Sequence, residues 1–170
     1  MKVLPFKIPK PENVTLYVQH YKGENFYEKL HQHKEIQISV VLKGEGTYII
    51  GDCVGDFKPN DIFVLGENLP HVFKRDTAFE YEAEMVSVFF SKGSYGEGFF
   101  NLPEFEHFQH FFNNSVLGYK VISSKKDISL LLSKIHKLTK YEQFKSFLEV
   151  LNLISEADKR KLSSLINLKK

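Results

Sequence analysis

The sequence predicts a mainly-β barrel over residues 1–100, closed by α-helices over residues 101–170. Three observations carry this. Short runs rich in Val, Ile, Phe and Tyr recur between about 14 and 90, separated by Gly, Asn, Asp and Pro. Aromatic residues are abundant, with 16 Phe and 8 Tyr but no Trp, which suits pleated sheet and pocket walls better than a simple bundle. Past about residue 100 the apolar spacing changes from the strand period to the helix period.

Taken in order, "VTLYVQ", "EIQISVVL", "GTYIIGD", "DIFVLG" and "EMVSVFF" read as strands, and "KGEG" at 43–46 as a hairpin turn between two of them. "GDCVGDFKPND" at 51–61 reads as a turn, a short strand and a second turn. Many short strands at such spacing make a sandwich or a barrel. The helical half starts with "LPEFEHFQHFFNNS", where Pro103 suits a first helical position and Phe105, Phe108, Phe111 and Phe112 recur at helical spacing. "DISLLLSKIHKLTK" places Ile128, Leu131, Leu132, Ile135 and Leu138 on one face, with Asp127 as its N-cap. "YEQFKSFLEVLNLISEA" does the same with Phe144, Phe147, Leu148, Leu151 and Ile154. "ADKRKLSSLINLKK" is a weaker final segment.

Composition excludes several classes. Cys53 is the single cysteine, so the chain has no internal disulfide and no Cys-based zinc site. The N-terminus "MKVLPFKIPKP" lacks the apolar core of a signal peptide, and no run approaches the ~18 apolar residues of a membrane span. A cytoplasmic protein is expected. Net charge is +2, unevenly spread: residues 1–112 carry 11 Lys/Arg against 16 Asp/Glu, residues 113–170 carry 12 against 5. The basic half reads as a solvated helical face, with contact to nucleic acid or an acidic partner as the sharper alternative. No phosphate loop, nucleophile elbow or Ser-His-Asp order is present.

The chemistry-bearing stretch is "LHQHKEIQ". His31 and His33 alternate on a strand and share a face, Gln37 has the same parity, and His71 opens a later strand in "GENLPHVF". Three imidazoles on converging strands can bind Zn, Fe, Mn, Cu or Ni, can line a pocket as hydrogen-bonding groups without metal, or can be plain structural histidines; the residues leave all three readings open. Glu35 shares the parity but reads as a solvent or salt-bridge residue. Phe26, Tyr27, Tyr48, Phe63, Phe73, Phe89 and Phe90 are pocket-wall candidates against a plain aromatic core, with Tyr48 the best polar-tipped one.

"HQHKEIQISVVLKGEG" and "PNDIFVLGENLPHVF" resemble the two motifs of the cupins, a double-stranded β-helix or jelly-roll barrel. His31, His33 and His71 match that family's metal histidines and Gly44 the glycine closing the first motif. Gln37 stands where the family has a metal-binding Glu. Asn60 replaces the first Gly of the second motif, and Gly66 and Asn68 fall at its Pro and Gly. A neutral Gln pulls less on a divalent cation than a carboxylate does.

A wider resemblance runs from near Met1 to about Ala157. The cupin motifs followed by "GFFNLPEFEHFQHFFNNSVLGYKV" are similar to the N-terminal effector-binding and dimerisation domain of AraC-type transcriptional regulators. The resemblance implies a small-molecule effector bound near His31, His33, Gln37, Tyr48 and His71. It implies a homodimer, expected through Phe144, Phe147, Leu148, Leu151 and Ile154, and DNA binding only through a separate C-terminal domain with two helix-turn-helix units. That domain is not in these 170 residues, so the chain reads as a truncated fragment or a naturally short relative. A divalent metal (Zn, Fe, Mn or Ni) is an open cofactor, and no catalytic residue is assigned. The competing expectations are a metal-dependent cupin enzyme of dioxygenase or isomerase type and a storage or binding cupin with no partner domain.

Overall fold

A computed structural model describes residues 1–78 and 82–164. In chain order the strands are β1 (Leu4–Pro5), β2 (Tyr17–Gly23), β3 (His31–Gln32), β4 (Ile36–Lys43), β5 (Gly46–Ile50), β6 (Cys53–Phe57), β7 (Ile62–Leu65), β8 (His71–Arg75) and β9 (Ala83–Phe90). Two 3₁₀ turns (Phe99–Asn101 and Pro103–Phe105) lead into α1 (Phe108–Ser115), β10 (Tyr119–Val121), α2 (Lys125–Ile135), α3 (Lys140–Glu156) and β11 (Lys159–Lys161). The strands form two sheets, ordered β1-β3-β8-β5-β6 and β11-β10-β7-β4-β9-β2. Only the β1–β3 pair is parallel among the described pairs. This is a cupin-type barrel followed by α-helices.

Strand parity explains the layers. In β4, Ile36, Ile38 and Val40 face the helices, while Gln37, Ser39 and Val41 face the barrel interior. In β9, Val86, Val88 and Phe90 take the helix side and Met85 the interior. The six-stranded sheet is therefore covered on both faces, which is why β4 and β9 read as nearly continuous buried runs. One core lies between that sheet and the helices, where Phe90 meets Phe147 at 4.6 Å between ring centroids. A second fills the barrel around Phe26, Phe57, Phe63 and Phe73.

Several local expectations change. "KGEG" is not a hairpin: β4 pairs with β7 and β9, β5 with β6 and β8, so Gly44–Glu45 carries the chain from one sheet to the other. Gly44 has φ +89°, the freedom that corner uses. A tight turn between two apolar runs does not say which strands pair. The hairpin is β5–β6, around Gly51 and Asp52. Helix α2 begins at Lys125, with Ser124 at its N-cap in the left-handed region, so Asp127 lies inside the first turn, where its charge favours the helix dipole. Helix α3 begins with a capping box: Glu142 N–H donates to Thr139 Oγ1 and the Thr139 N–H to Glu142 Oε2.

The tail segment holds a strand, not a helix: β11 adds to β10, which adds to β7, extending the barrel's own sheet. Beyond it Ser163 and Ser164 hydroxyls donate to the Asp52 carboxylate, tying the chain's end to the β5–β6 turn. The rest of that predicted segment, from 165 onward and including Lys169 and Lys170, lies outside the described residues. Part of the basic half is not a solvated face. Asp61, 1% exposed, receives Lys120 at 2.6 Å and Lys125 at 2.9 Å. Burial works against ionising this carboxyl, yet the two ammonium groups and the Lys58 amide outweigh it and hold it below the usual carboxylate range. The pairings join the start of β7 to β10 and α2.

The stripe expected to pair two copies is largely used inside one. Phe147, Leu151 and Ile154 have no exposed surface and lie in the core against the six-stranded sheet; Phe144 and Leu148 are half-buried beside it. An amphipathic stripe looks the same whether a barrel or a second copy covers it.

Candidate functional site

Register brings the histidines together. β3 pairs antiparallel with β8 so that His31 stands directly opposite His71. His33 follows β3 by one residue and turns back beside them. Ring centroids are 4.3 Å apart for His31–His71 and 5.0 Å for His33–His71. One donor nitrogen from each of the three can be chosen so that all lie within 4.8 Å of one another. His33 and His71 are buried, at 3% and 1% exposure; His31 is half-buried at the mouth.

Each ring is oriented in the same way. Nδ1 of His31 lies 2.8 Å from the Lys29 carbonyl, Nδ1 of His33 3.0 Å from the Glu35 carbonyl, and Nδ1 of His71 2.8 Å from the Leu69 carbonyl. A carbonyl only accepts, so each Nδ1 carries the proton and each Nε2 keeps its lone pair. His71 Nε2 is buried without a hydrogen-bond partner. Burial lowers the pKa of all three. His71 drops furthest, since His31 and His33 would repel its charge; hydrogen bonds and the Glu35 carboxylate only partly oppose the shift in His33. Three neutral imidazoles with their Nδ1–H groups fixed by carbonyls, one of them with a buried, unpartnered Nε2, suit a divalent transition metal.

Gln37 completes the set. Its Oε1 is 3.0 Å from His33 Nε2, and its Nε2 donates to Ser39 Oγ at 2.7 Å. Ser39 stands opposite Ser87 across β4–β9, with the hydroxyl oxygens 2.6 Å apart. In this orientation Oε1 and the lone pair of Nε2 are two acceptors face to face. A cation shared by both relieves that repulsion; turned end for end, the amide would instead donate to Nε2 and accept from Ser39. The donor set of His31, His33, His71 and the Gln37 carbonyl thus fits a metal, with Ser39 and Ser87 holding the amide.

These groups form one wall of a cavity of about 230 Å³ in the barrel mouth. Its other walls are Phe26 and Tyr27 from the segment before β3, Phe73 from β8, Met85, Ser87 and Phe89 from β9, Gln19 and Tyr21 from β2, and Phe6 and Ile8 from the N-terminal segment. Phe6 lies against Tyr27 and His31 at 5.0 and 5.2 Å. Of the expected pocket residues, His31, His33, Gln37 and His71 come together. Tyr48 does not: it is buried in the barrel core beside Phe63, and its hydroxyl faces Arg160 at 3.5 Å. Inward parity alone does not say how far along the barrel a residue sits. Phe63 is also core, and Phe90 faces the helices. Parity with Gln37 on β4 marks Ser39, and parity with Phe89 on β9 marks Met85 and Ser87; nothing local marks Phe6, Ile8, Gln19 or Tyr21.

The two-sheet barrel, with His31 and His71 on neighbouring strands of one sheet and His33 just past the end of β3, is a cupin-type fold. Residues 13–88 match the family model of the AraC-like ligand binding domain. Among solved structures it is similar to Bacillus subtilis oxalate decarboxylase, whose structure was described for its Mn(II) centres (25% identity, 45% of this chain, 21% of that one, TM-score 0.38). It is also similar to a cupin 2 conserved barrel domain protein from Rhodopseudomonas palustris (15% identity, 49% and 57%, TM-score 0.40) and to AerE from Microcystis aeruginosa (26%, 45% and 36%, TM-score 0.40). The chain spans about a fifth of the oxalate decarboxylase chain it matches. No curated protein matches it. Among the described residues, no helix is long and apolar enough to cross a membrane.

Proposed function

We propose that this chain is the effector-sensing and dimerising part of an AraC-type transcriptional regulator of the cytoplasm. A small molecule occupies the cavity beside His31, His33, Gln37 and His71, and its binding controls how a DNA-binding domain outside these residues engages its site. One observation carries the reading: a stretch matching the ligand-binding family encloses a cavity whose wall is built from fixed, neutral hydrogen-bonding and metal-ligating groups. The route to the rest of the protein is short. The strands that present Gln37, Ser39 and Ser87 inward present Ile36, Ile38, Val86 and Val88 to the helices on their other face. An effector shifts such a system only if it binds one arrangement better than the other.

Within this reading His31, His33 and His71, with the Gln37 carbonyl, hold a divalent metal of the Zn, Fe, Mn or Ni group. Two copies associate, and Phe144 and Leu148 are the members of the α3 stripe that keep surface for the contact. The test is operator binding by the full gene product, measured by gel shift with and without small-molecule effectors, alongside H33A and H71A. Ligand-dependent binding that both variants lose supports the reading. Operator binding that no ligand and neither variant alters refutes it.

A metal-dependent dioxygenase or isomerase is the second reading, favoured by three histidines each offering a ring nitrogen within 4.8 Å of the others beside a cavity that could admit substrate. Metal-dependent turnover or oxygen consumption by this chain, abolished in H71A, would establish it.

A further inference from the structure

We propose that His20 and His136 form a proton-operated latch between the barrel and the helix layer. The latch holds the corner between α2 and α3 on the sheet while at most one of the two rings is charged, and releases it when both are. The inference is independent of what occupies the cavity.

The latch sits where the apolar interface ends. His20 stands opposite Val86 across β2–β9, so it shares the helix-facing side of the sheet with Val86 and Val88. Beyond Val86 that side turns polar: Glu84 of β9 accepts from His20 Nε2 at 2.8 Å and from Lys43 of β4 at 3.3 Å. His136 is the C-cap residue of α2, and its ring lies against that of His20, with centroids 4.1 Å apart and planes at 34°. One residue earlier, Ile135 is fully buried in the helix-side core, and its carbonyl accepts from Gln143 Nε2 of α3. The two rings therefore join β2 to the corner where α2 hands over to α3. Among the described strands β2 is an edge, paired with β9 alone, and its residues Gln19 and Tyr21 line the cavity. One strand thus touches the cavity on one face and the latch on the other.

The two rings are unequal hosts for a proton. A carboxylate only accepts, so His20 Nε2 carries its proton, and a second one at Nδ1 makes an imidazolium already paired with Glu84. His136 has no such partner: its Nδ1 is buried without a hydrogen bond. Burial most of all, then His20 and Lys137, hold its pKa below the ordinary histidine value, and Glu84 only partly opposes them. Lys22, the other cation of β2, is taken up by Glu82 at 3.1 Å. A first proton therefore settles on His20. One on His136 as well would set two cations against each other and leave a buried N–H unpaired. Swinging the His136 ring into solvent relieves both, and the corner leaves with it.

The test is NMR of the 170-residue chain from about pH 8 to about pH 5, reading the histidine rings and the hydrogen-exchange protection of the corner amides. Those amides are Lys137 and Leu138, which donate to the Lys134 and Ile135 carbonyls. H20N, H136N and H71A are compared, asparagine being polar but unable to take the proton. The expected result is that His136 protonates after His20, and that corner protection falls at least about tenfold as it does so. In H20N the proton affinity of His136 should rise at least about threefold and the fall in protection should vanish. H136N should likewise show no such fall, and H71A should keep it. The inference is overturned if His136 titrates identically in H20N, or takes no proton before the protein unfolds. Corner protection that stays level as His136 protonates also overturns it, as does a response lost in H71A, which would trace it to the histidine wall.

Discussion

The two faces of the six-stranded sheet are made by the same strands yet are built for different ends. On the helix side, Ile36, Ile38, Val40, Val86, Val88 and Phe90 share one core with Ile128, Leu132 and Ile135 of α2 and Phe147, Val150, Leu151 and Ile154 of α3, and every one of these side chains is apolar. On the barrel side, one residue along in each strand, Gln37, Ser39 and Ser87 form a buried hydrogen-bonded line that ends on His33. Burying that line costs desolvation, which its internal bonds offset but do not turn into a large gain. A sheet that needed only stability would repeat the apolar face. The polar line is better explained by what it holds, the Gln37 amide and through it the His33 side of the histidine wall, and the comparison predicts that the faces fail differently.

The largest effect belongs to the helix side. Phe147→Ala removes a fully buried ring that contacts Phe90 and should cost about 3–5 kcal/mol in urea unfolding, with the histidine site intact in whatever remains folded. If the loss is under about 1 kcal/mol, α3 is not held as described and the stripe is free for another partner.

Next comes the site. His71→Ala removes one of three convergent donors, the one whose Nε2 is orphaned in the core, and should lower metal affinity at least 100-fold, about 2.7 kcal/mol. Competition against a coloured chelator reads this directly. An unchanged affinity would mean that metal binds elsewhere or not at all.

Acidity separates the faces without any mutation. Burial holds His31, His33 and His71 below the ordinary histidine value of 6.5, so the folded protein resists protons that the unfolded chain accepts. Stability of the metal-free protein should be full above about pH 6.5 and should fall as pH drops from there through the lowered folded values. Denaturant midpoints measured through that range check this, and H71A should show a shallower fall. A flat profile in both would show that the three rings are not buried neutral.

Much of this was legible in the sequence because parity is short-range. The alternation of His31, His33 and Gln37, the strand opened by His71, and the helical spacing of Ile128, Leu132 and Ile135 depend only on neighbours in the chain, and each recurs in the fold. Asn60 and Asn68, at positions where the cupin motif has Gly, keep φ values of +68° and +55°, a conformation Asn tolerates better than most residues do. What was not legible depends on distant partners. Nothing local tells that β4 and β5 part into different sheets, that Tyr48 sits deep in the barrel, that Lys120 and Lys125 meet on Asp61, or that α3 spends its stripe on its own barrel. Residues 119–121 and 159–161 are too short to announce themselves as strands and are held by the sheet they join.

The finest test compares two adjacent residues of β4. Ile38 and Ser39 are both fully buried, and their side chains point to opposite faces. Ile38→Ala should cost about 2–5 kcal/mol of stability and leave metal affinity within about twofold, because the cavity it opens lies on the helix side. Ser39→Ala removes few atoms but takes the acceptor from the Gln37 amide and the partner from the Ser87 hydroxyl. It should cost only about 1–2 kcal/mol of stability and still weaken metal binding about tenfold, since a freed amide no longer aims its carbonyl beside His33. Adding Ser87→Ala should restore part of the stability, by removing the hydroxyl left unpaired, without restoring the affinity. If the two single variants instead lower stability and affinity in the same ratio, the polar line is ordinary packing, and the division of labour between the faces is wrong.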